Sequence, residues 1–171
     1  MNRIPFVPPL ALLLGILLVA PASGAEGPKG SPEQRQTIQD IRSVGTEMFH
    51  WYKDQVAPRR SPEAHESAEQ AAESQSQTLA DIPPISREEL AKLLVPKYIP
   101  AIPENDGWGH PYEFRLNTQD PNAIRVMALR SAGQDGQYTG DTYQIAGFPD
   151  TEQAQDIAWI DGYFVHWPEA R

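Results

Sequence analysis

The 171-residue chain has no cysteine at all. That absence excludes a disulfide scaffold, a thiolate zinc site and a cysteine nucleophile together. Positive charge is scarce, with 14 Lys and Arg against 23 Asp and Glu and a formal net charge of −9. A non-specific nucleic-acid binder needs a basic face to displace phosphate counterions, so nucleic acid is not an expected partner. Several catalytic signatures are missing as well. There is no Gly-x-Ser-x-Gly elbow, no glycine-rich loop ending in Lys-Ser or Lys-Thr, and no metal-ligand spacing among the four histidines His50, His65, His110 and His166. What the chain has in quantity is breaks, with 17 prolines and 12 glycines, so long regular elements are expected to be few.

The first segment is the longest apolar run. Arg3 is the only charge before Glu26, and Leu10–Ala20 reads LALLLGILLVA, followed by small residues. A basic start, an apolar core of this length and small residues after it read as an export signal over residues 1–25. Cleavage after Ala22, Gly24 or Ala25 fits equally well. The alternative is an uncleaved signal anchor, although Pro5, Pro8, Pro9 and Pro21 interrupt its helix. Without residues 1–25 the chain keeps 13 basic and 23 acidic residues, a net charge of −10. The expected location is therefore periplasmic or extracellular, with a membrane contact only if the first segment stays attached.

In the exported part, Ser31-Pro32-Glu33-Gln34 is a helix start with a capping box. Ile38, Ile41, Val44, Met48, Trp51/Tyr52 and Val56 then recur close to a 3.6-residue period, and Pro58 ends the helix. Residues 59–80 carry almost no large apolar side chain and read as a mobile insertion or a solvated helix. Ser86-Arg87-Glu88-Glu89 offers a second capping box for a short helix stopping before Pro96. Tyr112, Phe114 and Leu116 alternate with charged residues as in a half-buried strand. Ile124–Leu129 is expected to be a central strand, and Asp161-Gly162 between two apolar runs marks a hairpin. The order predicts an α+β fold over residues 31–171, one long helix packed on a small antiparallel sheet with a long acidic loop.

That loop, from Ser131 to Asp156, carries Asp135, Asp141, Asp150, Glu152 and Asp156 among glycines 133, 136, 140 and 147. A loop of this length normally needs a staple. With disulfides excluded, calcium is the natural one: it takes roughly six to eight hard oxygens, some from backbone carbonyls. The plainer reading is a solvated acidic loop. It is not an EF-hand, since Asp135-Gly136-Gln137 lacks alternating oxygen ligands. Trp108-Gly109-His110-Pro111-Tyr112 reads as an aromatic platform for sugars, as a site with a histidine base, or as an anchor of the chain against the sheet, with Gly109 in a tight turn.

Three stretches carry a family resemblance. They are Thr37–Arg42 through Tyr52-Lys53-Asp54; Val95-Pro96-Lys97-Tyr98-Ile99 with Asp106-Gly107-Trp108-Gly109-His110-Pro111-Tyr112; and Leu129-Arg130-Ser131-Ala132-Gly133-Gln134-Asp135-Gly136 with Asp156-Ile157. In these the chain resembles the C-terminal domain of the type II secretion major pseudopilin, general secretion pathway protein G. The second stretch matches the family's Asp-x-Trp-Gly-x-Pro-Tyr signature, in which Asp106, Trp108, Gly109, Pro111 and Tyr112 are structural motif positions. The prepilin start, Gly-Phe leading through a Glu into a long apolar helix, is not present, so the resemblance implies the head fold rather than filament assembly. It implies a non-enzymatic exported protein acting through protein contacts in the cell envelope, secretion or pilus components among them. The resemblance also implies calcium in the loop, with Asp135 and Asp156 as carboxylates and carbonyls near Leu129 and Ser131; Asp141 is added on spacing alone. The alternative is a small extracellular glycan- or ligand-binding module using Trp108 and Tyr112.

Overall fold

The computed structural model describes residues 30–169. The export-signal reading of residues 1–25 lies outside them. Among the described residues no helix is long and apolar enough to cross a membrane.

Helix α1 runs from Pro32 to Gln55. Ser31 accepts from the Gln34 amide at 3.2 Å and the Gln34 side chain accepts from the Ser31 amide at 2.9 Å, so the capping box satisfies two donors that the helix itself leaves open. The apolar stripe is buried as its spacing requires: Ile41, Val44, Met48, Trp51 and Val56 are in the core, with Ile38 and Tyr52 at its margin. Helix α2 (Pro62–Ala72) follows a single 3-10 turn, and only Ala64 on it is buried. Helix α3 (Arg87–Leu94) starts on the second capping box, Ser86 with Glu89, and buries Leu90 and Leu94.

Eight strands follow the order β1 (Ser76–Thr78), β2 (Pro84–Ile85), β3 (Glu113–Leu116), β4 (Met127–Ser131), β5 (Thr142–Gln144), β6 (Ala146–Pro149), β7 (Ile157–Ile160) and β8 (Tyr163–Glu169). Six of them form one sheet in the order β2-β3-β4-β7-β8-β6, antiparallel except for the β8–β6 pair. Strands β1 and β5 make a separate antiparallel ribbon. The β7–β8 hairpin turns at Asp161 and Gly162, both at positive φ (45° and 114°), the geometry that an Asp-Gly hairpin favours.

Strands β4 and β7 are buried at every position, not at alternate ones. The reason is that both faces of the sheet are covered. Phe114, Leu129, Ile157 and Trp159 face α1 and α3, whereas Ala128, Ala158, Ile160 and Val165 pack with Leu79, Ile82 and Tyr143 on the other side.

The architecture is α+β, but one long helix packed on a small sheet does not describe it. There are three α-helices among the described residues and a six-stranded sheet covered twice. The end of the polar 59–80 segment is the part that differs most from expectation. Gln77 and Leu79 are fully buried, and β1 pairs with β5 from the acidic loop, so this segment roofs the second face. The central strand also starts later than the apolar run suggested. Ile124 precedes β4 and is 52% exposed, because the chain is still in the turn held by Asn117 and Asp120.

Candidate functional site

Several residues singled out in the sequence, Asp106, Tyr112 and Ser131 among them, meet at one joint between α1, the 106–112 crossing and the start of the 131–156 loop. Asp106 is buried, and its Oδ1 accepts from the amides of Trp108 (3.0 Å) and His110 (2.9 Å), closing a tight turn on itself. Its Oδ2 accepts from the Ser131 hydroxyl at 2.5 Å, and Ser131 Oγ in turn accepts from the Gly133 amide at 3.1 Å. Gly109 sits in this turn at φ 89°. From the same turn the Gly107 amide donates to Thr37 Oγ1 on α1 at 3.0 Å, and Tyr112 donates to Asp40 at 3.1 Å. Trp108 packs against the core with its Nε1 3.4 Å from Gln153 Oε1, and His110 Nε2 lies 3.2 Å from the Gln134 carbonyl. Pro111 is exposed and bridges back to Asn105.

This geometry bears on the aromatic platform. Tyr112 is 7% exposed, and burial first, then Asp40, pushes its hydroxyl pKa far up. Tyr112 is thus an anchor in the core, while Trp108 is half-buried and packs against the core from its margin. The histidine of the same stretch, His110, is held to the loop at the Gln134 carbonyl.

The loop itself is held by a cation from within the chain. Arg130 on β4 uses all five of its N–H groups. Nε and Nη2 donate to Glu113 at 3.2 and 2.8 Å; Nη2 also reaches Asp141 at 3.0 Å. Nη1 donates to the Gly140 carbonyl at 2.5 Å and to Tyr143 Oη at 2.9 Å. The Tyr138 ring lies 3.9 Å from its guanidinium carbon. Burial opposes the charge on Arg130, but its hydrogen bonds to Glu113 and Tyr143 outweigh it and hold the guanidinium firmly protonated. Tyr143 passes the chain on, donating to Asp156 Oδ2 at 2.7 Å, where the Thr139 amide and hydroxyl also donate.

The three expected calcium carboxylates are therefore in different surroundings. Asp156 is fully buried, and its Oδ1 has no hydrogen-bond partner, as an oxygen waiting for a cation would be. Asp141 faces two guanidinium groups, Arg130 at 3.0 Å and Arg115 at 3.6 Å. Asp135 is exposed and caps the Gln137 amide. Leu129 lies inside the β4 ladders with β3 and β7, while Ser131 ends β4 and gives its hydroxyl to Asp106. Among the described residues, no three His, Asp or Glu side chains gather to hold a metal. Of the expected ligands, Asp156 alone fits the part as it stands.

Sequence reasoning missed Arg130, Glu113 and Tyr143. Only the alternation on β3 hinted at Glu113, and that reads as a solvated face until β5, which carries Tyr143, is known to close over it. Comparison with protein-family profiles, curated proteins and solved structures finds no match to this chain.

Proposed function

We propose that this is a non-enzymatic exported protein whose α+β body is similar to a type II secretion pseudopilin G head and works through protein contacts in the cell envelope. The supporting observation is the joint at Asp106. The three stretches that carry the resemblance are separate in sequence, yet Thr37 and Asp40 bond to Gly107 and Tyr112, and Asp106 and His110 bond to Ser131 and Gln134. Residues that share a family pattern because they build one structural joint should interlock in this way. Residues assembled for catalysis should instead converge on an open cleft with a free base.

Calcium belongs to the proposal through Asp156, whose open Oδ1 is the one buried carboxylate oxygen for it among these residues, with Asp135 and the carbonyls near Leu129 and Ser131 as the family-derived remainder. The ion would supply positive charge at the base of the loop, adding to what Arg130 already provides. Melting curves in EDTA and in millimolar calcium test this. A higher melting temperature with calcium supports it; superimposable curves leave Arg130 as the loop's cation and remove calcium from the account. The protein-contact reading is tested by binding of the purified chain to purified type II secretion subunits, with saturable binding expected and none contradicting it.

A further inference from the structure

The polar segment of residues 59–80 borders a cavity whose chemistry is not explained by packing. Helix α2 lies over the C-terminal half of α1 and the start of β4, leaving a space of about 390 Å³. The space exists because α2 presents small residues inward: Ala68 and Ala72 line it, at the i, i+4 spacing of one helix face. The floor and mouth are apolar and aromatic, with Phe49 and Ile124 39% and 52% exposed. The helix is tied down mainly at its ends. Arg60 donates to the Ala64 carbonyl at 2.8 Å, and the Ser61 amide to Asn122 at 2.9 Å. At the other end Arg125 and Gln77 donate to the Ala71 carbonyl at 2.8 and 3.0 Å.

The polar groups around this space have a definite sign. Lys53, Arg60 and Arg125 line it, against Glu69 and Asp161, in a chain whose overall charge is −9. Asp161 is already spent, its Oδ1 accepting from the Val126 and Met127 amides at 3.0 and 2.9 Å and its Oδ2 lying 3.8 Å from Arg125 Nη1, which leaves Lys53 and Arg60 against Glu69. Two buried polar atoms of lining residues have no hydrogen-bond partner among the described residues, Arg60 Nε and the Tyr163 hydroxyl. Arg60 Nε can only donate, and the Tyr163 hydroxyl has its proton to give. Leaving a buried donor unmade costs stability, so an acceptor is what the cavity lacks.

We propose that the space beneath α2 is a binding site for a single-chain amphipathic carboxylate, with the apolar chain against Phe49, Ile124 and the two alanines and the carboxylate at Arg60. A volume of about 390 Å³ is near the lower end of the roughly 300–1,000 Å³ typical of small-molecule sites, which suits one acyl chain and not two. Helix α2 is the lid: anchored at its ends, it can shift outward by giving up few apolar contacts, since Ala64 is its only buried residue. The site is independent of the Asp106 joint and of the function proposed above.

The test is isothermal titration of the exported protein with three twelve-carbon probes below their micelle concentrations: dodecanoate, dodecanol and dodecyltrimethylammonium. Dodecanoate should bind one to one and more tightly than the other two. Arg60→Gln should weaken dodecanoate at least tenfold and leave dodecanol unchanged. Ala68→Trp and Ala72→Leu, which fill the space from a mostly exposed helix, should each abolish dodecanoate binding while the melting transition persists. Phosphatidylglycerol vesicles should compete poorly. No saturable dodecanoate binding, an equal affinity for the ammonium probe, binding that survives both filling variants, or vesicle competition as strong as dodecanoate's would each overturn the proposal.

Discussion

Asp106 shows how much one side chain can organise. Both its oxygens are used, three donors from two parts of the chain end on it, and it is buried. Asp106→Ala strands two amides and a hydroxyl, each worth about 1–3 kcal/mol when buried and unmade, so a loss of roughly 3 kcal/mol is expected. Thermal or urea unfolding reads it directly; a loss below about 1 kcal/mol would mean that the joint is not the keystone described here. Tyr112 and Tyr143 give a second residue-scale prediction. Burial, then the carboxylates of Asp40 and Asp156 respectively, holds both hydroxyls protonated well above the ordinary tyrosine value of about 10. The native state therefore keeps protons that the unfolded chain releases, and stability falls as pH rises through and beyond about 10. An absorbance titration of phenolate should show these two ionising only with alkaline unfolding. Reversible ionisation of all six tyrosines in the folded state would contradict it.

At the scale of elements, what could be read in advance was whatever depends on neighbours in sequence. Both capping boxes, the stripe of α1 and the Asp161-Gly162 hairpin are local patterns, and the structure contains them. What could not be read depends on partners far along the chain. Gln77 looks solvated in its polar surroundings, yet its amide nitrogen donates to the carbonyls of Ala71, Ala72 and Ser74 at the end of α2 and the residue is buried. The Arg130 network is hidden for the same reason, since β5 must fold over β4 before Tyr143 and Asp141 reach it. The stretches that meet at the joint could be picked out in the sequence, but neither their interlocking nor the loop's internal cation could be read there. Two substitutions test element packing. A Cβ at Gly45 would lie 2.9 Å from the buried Trp159 indole, so α1 rests on β7 at a residue without a side chain. Gly45→Ala gains about 1 kcal/mol of helix propensity but overpacks by about 1–3 kcal/mol, and a net destabilisation is expected in denaturant melts. Arg130→Met removes the cation from Glu113 and Asp141. Because Asp141 is 43% exposed, the cost should be about 2 kcal/mol, below the roughly 3–5 of a fully buried pair. Amide exchange should then speed up across residues 138–144 and leave α1 protected; unchanged exchange there would show that the guanidinium does not hold the loop.

For the whole molecule, the charge of −9 is not spread evenly in effect. Part of it surrounds Arg130 and Arg115, where acids are paired, and part lies on the outer face of α2, where they are solvated. Cysteine is absent, and the long loop is nevertheless pinned at Asp106, Arg130 and Asp156 by side chains from the body. A body stitched in this way holds in place the surfaces through which the protein is proposed to make its contacts. The central claim is that those surfaces meet secretion-type partners. Affinity purification of the full chain from cross-linked cell envelopes, with Asp106→Ala run in parallel, addresses it most directly. The account predicts type II secretion subunits enriched with the native protein and reduced with the variant. Recovery of none of them, or equal recovery with both proteins, would contradict it.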